Sequence, residues 1–210
     1  MNYKRRDFLK LSATFSAGLA LGPFTNSLAG CTASKSTINK EFGLGLYTLR
    51  DVLPTNVKSV LTQVASFGYK KIESYEHSQL GVYWGMKNTE FKKLMDDLGM
   101  TLVGTHCQVH IDTERKADEA AAIGMEYLTA PSLDGMIGRS ENRMTLDDYK
   151  RAADGLNKAA AICKQRGVRL GYHNHDHTFL PINGTIPQEI LLKNTDKGNV
   201  DFEMDIYWVV

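Results

Sequence analysis

Three of the six histidines of this 210-residue chain fall within five residues, His173-Asn174-His175-Asp176-His177. Side chains alternate along an extended segment, so His173, His175 and His177 are expected to point the same way. Imidazoles beside a carboxylate are what a borderline divalent cation such as Zn²⁺, Mn²⁺ or Co²⁺ accepts. A polar loop with exposed histidines is the alternative. A second segment reads Phe202-Glu203-Met204-Asp205-Ile206-Tyr207-Trp208. Asp205 closes a buried strand, and an unpaired buried carboxylate is expensive. A metal or a cationic neighbour would supply its partner; a helix N-cap is the competing reading. Trp208 offers an apolar wall for a sugar ring, or packs in the core.

Other polar residues sit at the ends of short apolar runs. Glu73 is a candidate catalytic carboxylate that would bind a substrate hydroxyl, or else a surface salt-bridge partner. His106 faces substrate or is a hydrogen-bonded structural histidine. Tyr47 is placed to line a substrate site. Arg50 either meets an anionic group or pairs with Asp51. Cys107 and Cys163 read as small buried thiols, and Met86, Met95, Met100 and Met125 as gap fillers.

These residues need a scaffold. Six apolar runs read as buried strands: Leu44–Thr48, Lys71–Ser74, Thr101–Thr105, Tyr127–Ala130, Val168–Tyr172 and Val200–Met204. Helical patterns lie between them. Asn56 can cap a helix carrying Val57, Val60, Leu61 and Val64 on one face. Thr89 can cap one with Phe91, Leu94, Met95 and Leu98. Thr145-x-x-Asp148 resembles a capping box ahead of Tyr149, Ala152, Ala153 and Leu156. Gly68, Gly99, Gly124 and Gly167 each stand between a helix and the next strand, where a left-handed residue costs glycine nothing.

A helix-to-strand unit repeated in this way implies parallel α/β structure, either an open doubly wound sheet or a (β/α)₈ barrel. No Gly-x-Gly-x-x-Gly follows the first strand, which removes the dinucleotide-binding signature. Tyr47, Glu73, His106, His173, His175 and Asp205 all fall at or just after strand C-termini, which converge on one mouth in a barrel. The expected fold is therefore a (β/α)₈ TIM barrel. Such a barrel needs eight strands and roughly 250 residues; six are found here. Residues 43–210 are thus expected to be a barrel truncated after about six βα units, with free edges at the first and sixth strands.

The remaining segments read as targeting. Residues 1–30 hold Lys4, Arg5, Arg6 and Lys10 against Asp7, a net +3, while the whole chain is +1. The rest therefore carries −2, which does not support a basic nucleic-acid surface. Arg5-Arg6-Asp7-Phe8-Leu9-Lys10 before a small-residue apolar run resembles a twin-arginine export signal. Leu28-Ala29-Gly30-Cys31 resembles a lipobox, with Cys31 the lipidated N-terminus of the mature protein; a plain signal peptide with a chance cysteine is the alternative. Residues 31–42 would be a polar tether to a periplasmic or membrane-anchored domain, held at the membrane surface by lipid on Cys31. Three cysteines are too few for a disulfide framework.

Gly171-Tyr172-His173-Asn174-His175-Asp176-His177, followed by Phe202-x-x-Asp205-x-x-Trp208, resembles the sugar phosphate isomerase/epimerase family with its xylose-isomerase-like barrel, from about Phe42 to Val210. The resemblance implies metal ligands at the ends of strands five to eight. His173 falls at the strand-five position, where the wider superfamily has Glu, and Asp205 at the strand-six position. The other two ligands would lie beyond residue 210. His175 would then contact substrate or act as acid and base. Members of this group carry Glu-Phe where this chain has Thr178-Phe179, which puts the catalytic carboxylate of that position in question. The implied activity is isomerisation or epimerisation of a sugar or sugar derivative through an enediolate, with a divalent Mn, Zn, Co or Mg ion. A lyase or dehydratase on a keto-sugar, and a lipid-anchored sugar-binding protein without catalysis, are the alternatives. An exported protein meets few sugar phosphates, and no glycine-rich phosphate cradle is visible.

Overall fold

A computed structural model of the protein describes residues 42–209. The expected signal sequence, Cys31 and nearly all of the tether lie outside the described residues.

Six strands form one parallel sheet in sequential order: β1 (Gly43–Gly45), β2 (Lys71–Tyr75), β3 (Thr101–His106), β4 (Tyr127–Ala130), β5 (Arg169–His173) and β6 (Val200–Glu203). Helices α1 (Val57–Ser66), α2 (Asn88–Asp97), α3 (Thr113–Ala122), the short α4 (Asp134–Ile137), α5 (Leu146–Gln165) and α6 (Pro187–Asn194) alternate with them. Two side-chain contacts decide between the competing architectures. Strands in a sheet lie roughly 4.8 Å apart, so β3 and β6 would be ~14 Å apart in a flat sheet. Yet His106 of β3 and Glu203 of β6 stand 3.0 Å apart, and Glu73 of β2 is hydrogen-bonded to Glu203 as well. The sheet therefore curls around its inner face as a barrel wall does. Among the described residues β1 and β6 each pair on one side only.

Helix starts follow local chemistry. Asn56 Oδ1 accepts the Ser59 N–H at 3.0 Å to open α1. Thr145 and Asp148 form the expected capping box of α5, with Thr145 Oγ1 accepting the Asp148 N–H and Asp148 Oδ2 accepting the Thr145 N–H. The start of α2 differs from expectation. Thr89 is already inside the helix, and Glu90 Oε2 accepts the Lys87 N–H at 3.0 Å, so a carboxylate one turn in satisfies the orphan donor. Gly68, Gly99, Gly124 and Gly167 have φ of 90°, 65°, 70° and 73°, the left-handed values that end a helix and turn the chain into the next strand.

The first strand is shorter than expected. It pairs with β2 only from Gly43 to Gly45, and Leu46–Leu49 is a 3₁₀ turn. This strand has two glycines in three residues, which weaken a strand. Leu46 instead turns into the core.

The core lies between the outer sheet face and the helices. Leu61, Phe91, Met95, Leu128, Leu156, Leu170 and Tyr172 are buried there. Cys107 and Cys163 are free and buried, and burial pushes both thiols up, to about 12 and about 11. Among the described residues no helix is long and apolar enough to cross a membrane.

Candidate active site

The inner face carries a different chemistry. Glu73 on β2, His106 on β3, His173 on β5 and Glu203 on β6 meet at the C-terminal end of the sheet. Glu203 is their hub: its Oε1 lies 2.9 Å from His173 Nδ1 and 3.0 Å from His106 Nε2. Glu73 Oε2 lies 3.3 Å from the same His106 nitrogen. Gly104 lies beside this cluster on β3, where a Cβ would press on the neighbouring strand, 3.1 Å from Tyr127 Cβ, while meeting Glu73 Oε1 only at an ordinary 3.8 Å.

The two carboxyls are driven apart electrostatically. Burial, then the nearby Glu203 charge, then their mutual hydrogen bond raise the Glu73 carboxyl to about 8. Burial opposes the Glu203 charge too, but hydrogen bonds from His106 and His173 hold that carboxyl below the usual range. Glu73 is therefore a neutral acid near pH 7 and Glu203 an anion. An ionised carboxylate only accepts, so His173 Nδ1 carries the proton in this contact, and in the neutral ring Nε2 is then the nitrogen with the lone pair.

That second nitrogen faces Asp205. His173 Nε2 and Asp205 Oδ2 are 3.8 Å apart, too far for a hydrogen bond. Two ligand bonds of ~2.0–2.2 Å reach across that gap to one shared cation. Asp205 Oδ1 is already taken, accepting the Tyr207 N–H at 2.9 Å. A second grouping also has donor atoms close together: His106, His173 and Glu203 each offer one within 4.8 Å of the others. Both groupings use imidazole nitrogen and carboxylate oxygen, the donor set that suits Mn²⁺, Zn²⁺ or Co²⁺. In the second, Glu203 Oε1 already accepts from two imidazoles, whereas Asp205 Oδ2 has no hydrogen-bond donor among the described residues.

A cavity of about 920 Å³ opens over this cluster, and Tyr47, Glu73, His106, His173, His175, Asp205 and Trp208 all line it. Glu73 is not the surface salt-bridge partner of the alternative reading. Tyr47 is 58% exposed at the rim, with the Arg50 guanidinium 5.0 Å from its ring centroid. Arg50 also donates to Tyr47 O at 3.2 Å, and among the described residues no ion pair joins it to Asp51. The His175 ring stands 5.0 Å from His173 and 5.5 Å from Trp208. Its Nδ1 is buried without a hydrogen-bond partner among the described residues. Burial first, and then the neighbouring His173, hold this imidazole below its ordinary value.

One expectation fails. His177 does not line the cavity with His173 and His175. Residues Asp176–Thr178 form a 3₁₀ turn, so the alternation of an extended segment stops after His175. His177 Nε2 lies instead 2.9 Å from Oε2 of the buried Glu141. Thr178, where Glu was expected from the motif, is fully buried and donates its hydroxyl to His175 O at 2.9 Å. That position fastens the loop to itself. Glu203 is the residue that sequence reasoning missed. Its signal was the spacing Glu203-x-Asp205, which puts two carboxylates on one side of an extended strand end.

Residues 61–210 match the family model described as Xylose isomerase-like TIM barrel. No curated protein matches the chain at a significant level. Among solved structures, a sugar phosphate isomerase/epimerase from Parabacteroides distasonis ATCC 8503 is 26% identical with a TM-score of 0.66, over 84% of this chain and 71% of that one. A D-psicose 3-epimerase with D-tagatose from Clostridium cellulolyticum H10 is 16% identical with a TM-score of 0.55, over 73% and 59%. A xylose isomerase-like TIM barrel protein from Mycobacterium smegmatis, in complex with magnesium, is 13% identical with a TM-score of 0.56, over 77% and 60%. The chain thus spans about three fifths of the length of the last two. The family match covers more than half of the sequence, and the curled parallel sheet with its polar mouth agrees with it: this chain belongs to the xylose isomerase-like TIM barrel family.

Proposed function

We propose that this protein isomerises or epimerises a sugar or sugar derivative, using a divalent metal ion held by His173 and Asp205. The observation that carries the reading is the 3.8 Å gap between His173 Nε2 and Asp205 Oδ2 at the mouth, with His173 Nδ1 tied to Glu203 behind it. A carboxylate on the far nitrogen of a ligating imidazole fixes its tautomer and raises its basicity. The sugar isomerase and epimerase among the solved relatives support the substrate class.

When bound, the ion would supply Lewis-acid stabilisation of the negative charge that develops on the substrate. The chain's own residues do the rest. His175 borders the cavity as a neutral imidazole, held so by burial and by His173. It is the base for the proton beside the substrate carbonyl. Returning the proton to the neighbouring carbon isomerises; returning it to the other face epimerises. Trp208 and Tyr47 flank the cavity as aromatic walls for the sugar. Glu73, neutral near pH 7, donates to Glu203 and keeps one negative charge at the hub.

The test is solvent exchange. Protein loaded with Mn²⁺ or Co²⁺ is incubated with ketoses and aldoses in D₂O, and deuterium at the carbon beside the carbonyl is followed by NMR. Chelation should abolish exchange, and His175→Ala should slow it by roughly 10²–10⁴-fold. Sugar binding that ignores a chelator, with no exchange, would favour the non-catalytic binder. Release of a β-substituent would identify a lyase.

We also propose export by the twin-arginine route and anchoring through lipid on Cys31, on the strength of Arg5-Arg6 and Leu28-Ala29-Gly30-Cys31. Changing both arginines to lysine should strand the precursor in the cytoplasm. Cys31→Ala should release the protein from the membrane fraction. Unchanged fractionation in both variants sinks the idea.

A further inference from the structure

Asn174 lies between His173 and His175 but does not line the cavity. It is 3% exposed, and an amide so buried needs hydrogen bonds. Both go to one residue. Asn174 Nδ2 donates to Asp205 O at 3.1 Å, and Asn174 Oδ1 accepts the Asp205 N–H at 3.0 Å. This pairing joins segments 31 residues apart in sequence.

The contact stands where the sheet stops. The β5–β6 ladder ends at the pair His173 and Glu203, so Asp205 has passed beyond strand pairing. The Asn174 amide presents one donor and one acceptor to it, as a further strand residue would. Tyr207 N–H then takes Asp205 Oδ1. With its backbone and one carboxylate oxygen held, Asp205 keeps Oδ2 directed at His173 Nε2. The partner ligand is the residue adjacent to Asn174 in the chain. One amide thus ties the position of one proposed ligand to that of the other.

We propose that Asn174 is a positioning residue for the metal-ligand pair His173 and Asp205, acting through the Asp205 backbone. This rests on the metal reading above. The competing role is structural: a buried amide that stitches two loops and leaves the ion indifferent.

Mn²⁺ binding to the full chain, followed by electron paramagnetic resonance and calorimetric titration, separates the two. Asp205→Asn serves as the reference for a lost ligand. Asn174→Ala removes both hydrogen bonds. Asn174→Asp keeps the size and the acceptor but turns a second oxygen toward Asp205 O. Both Asn174 variants should weaken Mn²⁺ by about 10–100-fold, the range for supporting residues of metal sites. The bound-Mn²⁺ spectrum should change with them. A structural role would lower the melting temperature of the metal-free protein and spare both readouts. If both Asn174 variants bind Mn²⁺ within about twofold of the parent while Asp205→Asn loses it, the positioning role is wrong and the metal reading stands. If Asp205→Asn also binds normally, the metal reading fails and takes the positioning role with it. A second measurement needs no variant: the Asn174 side-chain amide resonances of the unchanged protein should shift when Zn²⁺ is added. Resonances that do not respond to Zn²⁺ overturn the proposal even if neither variant folds.

Discussion

His173 and Glu203 are register partners at the last rung between β5 and β6, and their side chains meet at 2.9 Å between Nδ1 and Oε1. Aligned residues on adjacent parallel strands point to the same face, so this contact follows from the register itself. The same carboxylate takes His106 from β3. The hub therefore exists only because the sheet curls.

Glu203→Gln tests the hub. Glutamine keeps the size but not the charge, so it no longer fixes which nitrogen of His173 carries the proton. Affinity for Mn²⁺ should fall by roughly 10–100-fold while the far-ultraviolet circular dichroism stays unchanged. Parent-like affinity in a titration would show that Glu203 does not support His173 as the proposed ligand.

Asp148 gives a pH dependence remote from the cavity. Its carboxylate accepts the Thr145 N–H at 2.8 Å and is held by Arg151, the Thr145 hydroxyl and Arg139. The backbone bond from Thr145, then Arg151, lower it from an ordinary 3.8 to about 2. A depressed carboxylate stabilises the fold above its unfolded value and loses that contribution as pH falls through the folded one. The stability gap between the parent and Asp148→Asn should be constant above about pH 4 and shrink between about pH 4 and pH 2. Urea unfolding at stepped pH measures it; a gap that does not move with pH rules the pairing out as its source.

Gly171 marks a close approach on the inner face. A Cβ there would stand 2.9 Å from Thr129 Oγ1 and 3.4 Å from its Cγ2, on a rung where the two residues are register partners. Thr129 is buried and, being β-branched, restricted at χ1, so making room costs a rotamer change or a shift of the strand. Gly171→Ala should cost on the order of 1–3 kcal/mol, read by chemical denaturation. Adding Thr129→Ala should recover part of that loss, a coupling expected of residues in contact. Independent, additive effects would show that the site relaxes in some other way.

Much of the scaffold was legible in the residues themselves. Buried parallel strands are apolar runs bounded by glycines, and Leu128, Leu170 and Val200 stand in strands recognised from that pattern. Thr145 and Asp148 marked the start of α5 because a capping box is local chemistry. Tyr47, Glu73, His106, His173, His175 and Asp205 could all be put at one mouth because the ends of barrel strands converge, whereas Trp208 could equally have packed in the core.

Tertiary structure decided how those residues meet. His177 turns to Glu141 because a 3₁₀ turn interrupts an alternation that holds only for extended chain. The first strand yields to a turn after Gly45 because two of its three residues are glycines. Glu203 sits between Phe202 and Met204 like any polar residue of a strand end, and its spacing shows only that it shares a side with Asp205. That it gathers Glu73, His106 and His173 depends on strand register and on sheet curvature. Both are long-range properties, set by the packing of helices against the whole sheet, and no window of the sequence contains them.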